Sequence, residues 1–279
     1  MIENLGQPIA LGRTAEIYAW HNDQVLKLFY DWFGLENIET EQRISLAVHA
    51  SGLPTPEVGE IISMDGRHGL VYERVDGISM WKLLQHKPWN ALRYCRRMAE
   101  LQVAIHNSII PTGIPSQRKI LELNIRQAQA LPDRLRQKNL AALANLPDGN
   151  LLCHGDYWPS NILVTGKGEI IIDWFRATYG NPLADVARTT NLQLGFTGTR
   201  QAQRPFLSFG SSNLDHLRNS LLQAFCRLIY PMYIHYYFEL SPGGEQEYRR
   251  WLPIVAAARL ADNIPELEQM LLRQAENEL

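Results

Sequence analysis

"LLCHGDYWPSNILV", residues 151–164, sets a histidine, an aspartate and an asparagine between two runs that read as buried strand. Asp156 and Asn161 stand five positions apart in the intervening loop, and Asp173 follows twelve residues after Asn161, at the end of "IIID". The runs "LLC", "NILV" and "EIIIDW", with the Gly166-Lys167-Gly168 turn, describe a hairpin that Asp173 closes. A carboxylate and an amide oxygen from neighbouring strand ends suit magnesium, a hard cation that takes a few oxygen ligands beside a triphosphate and keeps its waters. A second carboxylate, free of the metal, can take a proton from a hydroxyl nucleophile.

The chain around this stretch has 279 residues, 46% hydrophobic and 20% charged, which is enough for a sizeable core in one large or two modest domains. Its formal charge of -2 supplies no overall basic field for nucleic acid or an anionic membrane, so neither is expected as a partner. Cys95, Cys153 and Cys226 are far apart and in no CxxC pair, which indicates reduced, buried thiols rather than a disulfide framework or zinc knuckle. "MIENLGQPIALG" has no basic n-region followed by an apolar h-region, so a signal sequence is not expected there, and no run approaches the ~18 apolar residues of a membrane helix. A cytoplasmic protein is expected.

Short alternating or β-branched runs dominate the first part: "AEIYAW", "QVLKLFY", "EVGEIISM" and "HGLVYERV", broken by His21-Asn22-Asp23 and Asp65-Gly66. They predict antiparallel strands joined by tight turns. Between the second and third, Ile38, Ile44, Ala47 and Val48 recur at helical spacing; Gly52 can supply a left-handed cap and Pro54 forbids continuation. Amphipathic segments follow at 90–107, 116–131, 133–145, 184–194, 213–239, 245–260 and 264–276. The expectation is an α+β fold: a small antiparallel-sheet lobe with one helix over 1–76, and a larger, mainly helical lobe over 77–279 carrying the polar hairpin.

An aspartate followed after four residues by an asparagine, with a further aspartate downstream, matches the spacing of the kinase catalytic loop. "HGDYWPSN", "IDW" and "YGNPLADVAR" together resemble the HGDxxxxN loop, metal strand and GDPxxDLA segment of the aminoglycoside phosphotransferase and choline kinase family, which is protein-kinase-like in fold. The resemblance runs from about residue 10 to 190. It implies an ATP- and magnesium-dependent phosphotransferase acting on a hydroxyl of a small molecule, with Asp156 as catalytic base and Asn161 and Asp173 as magnesium ligands. His154 would support the loop, and Asp185 would anchor it without touching the metal.

Such an enzyme needs a phosphate-gripping lysine held by a glutamate. Lys27, inside "QVLKLF", is the only lysine of the strand region, and Glu36, Glu39 and Glu41 on the following helix are the candidate partners. The family's spacing to "GLPTP" lands on Glu41, with Glu39 as the fallback. "LGRTAEIYAW" occupies the position of the nucleotide-covering hairpin, where Gly12, Arg13 and Thr14 would face phosphates, although one glycine stands where a full GxGxxG has three. "VYERVDGISM" is similar to the family's hinge; Glu73 and Val75 would meet adenine through main-chain groups, and Tyr72 would line the back wall.

Acceptor selectivity belongs to the region beyond 190. Residues 174–279 hold ten Asp/Glu against ten Arg, a balance without the acidic excess that a polycationic acceptor needs. "LIYPMYIHYYFEL" at 228–240 reads either as core or as an aromatic pocket for a cation. A catalytically silent, nucleotide-binding regulatory or scaffold protein is the alternative, resting on the sparse glycine loop alone.

Overall fold

A computed structural model of the chain describes residues 5–196 and 229–277. Strands β1 (Ala10–Leu11), β2 (Ala15–Trp20) and β3 (Gln24–Phe29) precede helix α1 (Leu35–Ala50), and β4 (Val58–Met64) and β5 (Arg67–Glu73) follow it. Next come β6 (Ile78–Ser79), α2 (Met80–His86), α3 (Ala91–His106), α4 (Gln117–Gln127), α5 (Asp133–Asn145) and β7 (Leu151–Cys153). The polar hairpin is β8 (Ile162–Thr165) and β9 (Gly168–Ile171), after which β10 (Thr178–Gly180) leads into α6 (Pro182–Phe196). Residues 229–240 form α7, followed by α8 (Glu245–Arg259) and α9 (Pro265–Glu276). The first part of the helix expected at 213–239 falls outside the described residues, as does Cys226; Cys95 and Cys153 are buried free thiols.

The described residues group into two compact units. The first takes everything up to Leu83 together with Ile109–Ile114 and Pro159–Ala177; the second takes Leu84–Ser108, Pro115–Trp158 and everything from Thr178 onward. The division expected after residue 76 follows the chain, whereas these units do not. Strand β6 pairs with β8 (Ile78↔Val164, Ser79↔Leu163), and the Ile171 amide donates to Pro54 O at 2.8 Å, so the polar hairpin belongs with the sheet unit.

In the first unit the sheet runs β1-β2-β3-β5-β4, antiparallel throughout. The β4–β5 turn has Asp65 and Gly66 both at positive φ (49° and 82°), the geometry whose twist matches paired strands. Strand β3 is central and covered on both faces. Leu26 and Leu28 join Tyr18 and Val71 on one side; Phe29 joins Ala15, Phe33, Ile38, Val58 and Leu70 on the other. The second face is the one α1 covers with Ile38, Glu41, Ile44, Ser45 and Val48, and Gly52, at φ 81°, ends that helix as expected.

In the second unit α8 is the central helix, with Trp251, Ile254, Val255, Ala256, Ala257 and Ala258 buried. Helix α4 stops at Gln127, short of the expected residue 131, because the Arg136 guanidinium takes over carbonyls that would otherwise end unsatisfied. It donates to Ile125 O (2.6 Å), Arg126 O (2.9 Å), Ala128 O (3.0 Å) and Leu131 O (2.8 Å). Strands β7 and β10 pair antiparallel, carrying the chain into "HGD", and Gly149 just before them lies so close to the end of β10 that a Cβ would clash with Gly180 and with Asn181. Both neighbours there are backbone and cannot rotate away. Gly149→Ala is therefore expected to destabilise the protein by about 2 kcal/mol or more, read as a lower midpoint in urea or thermal unfolding.

Candidate active site

Strand β3 carries Lys27 on the face that α1 covers, and Glu41 lies in the middle of the helix's buried stripe. The two meet: Lys27 Nζ is 2.6 Å from Glu41 Oε1. Of the three candidate glutamates, Glu36 and Glu39 are exposed, and Glu41 is 1% exposed. The same ammonium lies 3.2 Å from Asp173 Oδ1 and 5.3 Å from the centre of the Phe29 ring. Burial works against the Lys27 charge, but Asp173, Glu41 and Tyr72 outweigh it and hold the ammonium above its ordinary range. Burial pushes the Glu41 carboxyl up, while Lys27 and a hydrogen bond from Tyr72 favour its charged form. At 2.6 Å from a lysine that stays protonated, the pair is ammonium and carboxylate.

The hairpin explains how residues 161 and 173 come together. Register runs Ile162↔Ile171 to Thr165↔Gly168, and the Ile172 amide donates to Asn161 O at 3.0 Å, so Asn161 and Asp173 end up at the same end of the β8–β9 pair. Asn161 is buried, whereas the Asp173 side chain is 41% exposed and its backbone is left-handed at φ 66°. A non-glycine residue held there is uncommon and marks a position fixed by its surroundings. The two side chains offer hard oxygen donors, a carboxylate and an amide, which is the chemistry a magnesium ion takes.

Asp156 belongs to the second unit, where the loop is held by one buried carboxylate. Asp185, on the first turn of α6, accepts from the Gly155 amide (2.7 Å), the His154 amide (3.3 Å), Gln102 Nε2 (2.8 Å) and His106 Nε2 (3.1 Å). One turn further along α6, Arg188 Nε donates to Gly155 O, and its guanidinium lies 3.5 Å from Asp262. Gly155, at φ 76°, is thus gripped at its amide and its carbonyl by adjacent turns of one helix. His154 Nδ1 accepts from the Asp156 amide at 3.1 Å, and the Tyr157 hydroxyl donates to Met98 O at 2.8 Å. Asp156 itself remains partly exposed.

The remaining expected residues fall in two places. Gly12, Arg13 and Thr14 form the β1–β2 turn, closed by the Gly12 amide on Ala15 O (2.8 Å) and fixed to β3's end by the Tyr30 amide on Thr14 O (2.9 Å). Arg13 borders a cleft of about 420 Å³ with Tyr30, Asp31, Trp32 and Arg67. In the connector, the Glu73 amide donates to Glu57 O at 2.9 Å and its carboxylate accepts from the Glu57 amide at 3.1 Å, while Val75 is half-buried. One face of the stripe at 228–240 is core over its described part: Tyr233 and Tyr237 are buried, donating to Gln102 and contacting His106 Nδ1, while Pro231, His235, Glu239 and Leu240 are exposed. Gln102 and His106 were not singled out from the sequence; a polar pair four residues apart on the apolar face of α3 was the available signal.

His106, Cys153 and Asp185 have ligand-type atoms within 4.8 Å of one another. Hydrogen bonds account for these atoms: His106 Nε2 is bonded to Asp185, and Cys153 Sγ donates to Leu151 O and Asn181 O. Tyr237 and Asp185 take both His106 nitrogens, and burial, with Asp185 adding, pushes the Cys153 thiol far up so that it stays protonated. Burial also acts to raise Asp185, but hydrogen bonds from His106, Gln102 and the Gly155 amide prevail and hold it below the usual carboxylate range. Because the folded value is depressed, this contribution to stability is present above about pH 4 and is lost as pH falls through the folded value. Asp185→Asn should cost roughly 3 kcal/mol at pH 7 and flatten the acid limb of the stability curve, measured by urea unfolding between pH 7 and 3.

A family model described as the phosphotransferase enzyme family matches residues 8–222. No curated protein sequence matches the chain. Among solved structures, a thermostable mutant of aminoglycoside phosphotransferase APH(4)-Ia in ternary complex with ADP and hygromycin B superposes with a TM-score of 0.63 at 14% identity, covering 99% of this chain and 98% of that one. Aminoglycoside-3'-phosphotransferase of type VIII gives 0.58 at 17% identity, covering 92% and 91%. Amicoumacin kinase hAmiN in complex with AMP-PNP, Ca2+ and Ami gives 0.60 at 12% identity, covering 97% and 86%. At these identities the superpositions speak for the fold, which is the protein-kinase-like α+β fold expected from the sequence. With the model spanning residues 8–222 of 279, the chain belongs to the phosphotransferase enzyme family.

Proposed function

We propose that the protein is a kinase that moves the γ-phosphoryl group of ATP to a hydroxyl of a small molecule. The observation that carries this reading is the Lys27 ammonium, held 2.6 Å from buried Glu41 and 3.2 Å from the partly exposed Asp173. A partly buried, paired lysine on a central strand, facing the carboxylate that ends the polar hairpin, is the arrangement phosphoryl transfer uses to orient phosphates. The solved structures carrying ADP or AMP-PNP lend support through their fold.

In this reading the β1–β2 turn at Gly12, Arg13 and Thr14 covers the phosphates with backbone amides, and the connector at Glu73 and Val75 meets the adenine edge, with Tyr72 behind. Asn161 and Asp173 would hold magnesium, which on binding supplies charge compensation for the phosphate oxygens. Lys27 orients the phosphates, its direction set by Glu41. Asp156, fixed through its own amide and through Gly155, takes the hydroxyl proton as the acceptor oxygen attacks in line. The breaking bond leaves ADP as the departing group and the phosphate monoester as product.

The deciding experiment is MgATP turnover against a panel of hydroxyl acceptors, with aminoglycosides, choline-like alcohols, sugars and homoserine as its arms. Turnover on any one establishes the activity and its acceptor; nucleotide binding without turnover on all of them would favour a regulatory or scaffold role. Asp156→Asn is expected to lower turnover by roughly 10²- to 10⁴-fold while leaving MgATP affinity nearly unchanged in isothermal titration. Asp173→Ala should weaken MgATP binding more than Asn161→Ala does, since removing a carboxylate removes charge compensation as well as a donor.

A further inference from the structure

Tyr72 lies on β5 opposite Val25 of β3, so it shares a sheet face with Leu70 and with Lys27, the face α1 covers. That face is otherwise apolar, built from Ala15, Phe29, Phe33, Ile38, Val58 and Leu70. A phenylalanine would fill such a position without having to place a hydroxyl, and a buried hydroxyl costs free energy unless it is bonded. The Tyr72 hydroxyl is bonded: it donates to Glu41 Oε1 at 2.8 Å, the same oxygen that Lys27 Nζ meets at 2.6 Å. Behind it, Ser45 Oγ lies 3.4 Å away, on α1 one turn beyond Glu41 and buried. Burial and the neighbouring Glu41 charge hold the phenol far above its ordinary range, so it remains a donor throughout the working range of pH.

We propose that Tyr72 is a positioning residue of the phosphate grip: its hydroxyl, backed by Ser45, fixes Glu41 in the orientation that aims the Lys27 ammonium before any nucleotide arrives. The inference rests on the kinase reading and adds to it, because a residue expected only to wall the nucleotide pocket acts on the phosphates through two others. Lys27 has two carboxylates within reach, Glu41 and Asp173. Pinning Glu41 from the side of β5 makes it the fixed partner, so that the ammonium keeps its direction when Asp173 turns to another cation. The hydroxyl and the ring thereby have separable duties.

The test is isothermal titration of the full chain with MgATP and, separately, with adenosine, which lacks phosphates. Tyr72→Phe keeps the ring and should weaken MgATP roughly ten-fold or more, the worth of one hydrogen bond to a charged group, with adenosine affinity unchanged. Ser45→Ala should shift MgATP affinity in the same direction by a smaller factor. In a Glu41→Gln background Tyr72→Phe should have little further effect, because the group it positions is already altered. Equal losses for MgATP and adenosine, or an unchanged MgATP affinity in Tyr72→Phe, would overturn this inference alone. Failure of the unaltered protein to bind MgATP would overturn the kinase reading and this inference with it.

Discussion

A carboxylate that is 1% exposed has to be answered by its surroundings, and the first unit is arranged around answering Glu41. Taking such a group out of water costs several kcal/mol, which is recovered only when an opposite charge and hydrogen-bond donors meet it with good geometry. Lys27 comes from a central strand, where its neighbours Leu26 and Leu28 both turn into one apolar cluster with Tyr18 and Val71 and hold the backbone still. Tyr72 has to come from the adjacent strand on the same face, and α1 has to present residue 41 toward that face. Losing one partner of such a pair costs about 3–5 kcal/mol, because a buried charge is left without its counterpart.

The second unit also buries a carboxylate, and meets it without a lysine or an arginine. Asp185 is 2% exposed and is met by two backbone amides, a glutamine and a histidine rather than by a lysine. Two of those donors belong to the loop that carries Asp156, so satisfying the carboxylate and fixing the loop are one event. Arg188 takes the carbonyl of the same Gly155 from the next turn of α6. In each unit a buried acid thus determines where a neighbouring functional group points. In the first, the group is an ammonium; in the second, it is the backbone that leads into an aspartate.

Much of this was legible in the residues. The β4–β5 turn follows from Asp65-Gly66, the end of α1 from Gly52 and Pro54, and the polar hairpin from strand runs around a glycine-lysine-glycine turn. Those features are local: each depends on backbone conformations accessible to a few neighbouring residues. Strands β1, β6 and β10, each two or three residues long, carry no period of their own and exist because a partner strand is present. The aromatic stripe near 230 left both core and pocket open, with core the more usual reading, since helical spacing is the same in both. Packing on α3 put Tyr233 and Tyr237 in the core.

The sequence by itself determined the candidates: a lysine inside an apolar strand, three glutamates on the next helix, and an aspartate–asparagine–aspartate spacing across a loop and hairpin. Tertiary structure decided which of them meet. It set Glu41, the glutamate to which the family's spacing had pointed, against Lys27, joined Tyr72 and Ser45 to it, brought Asp173 to 3.2 Å from Lys27 across 146 positions of chain, and assigned the hairpin to the sheet unit through β6. Periodicity records which face of an element a residue occupies. Which residue of another element lies against that face depends on register and helix rotation, and these are set by the packing of the whole apolar cluster, to which no single segment holds the key.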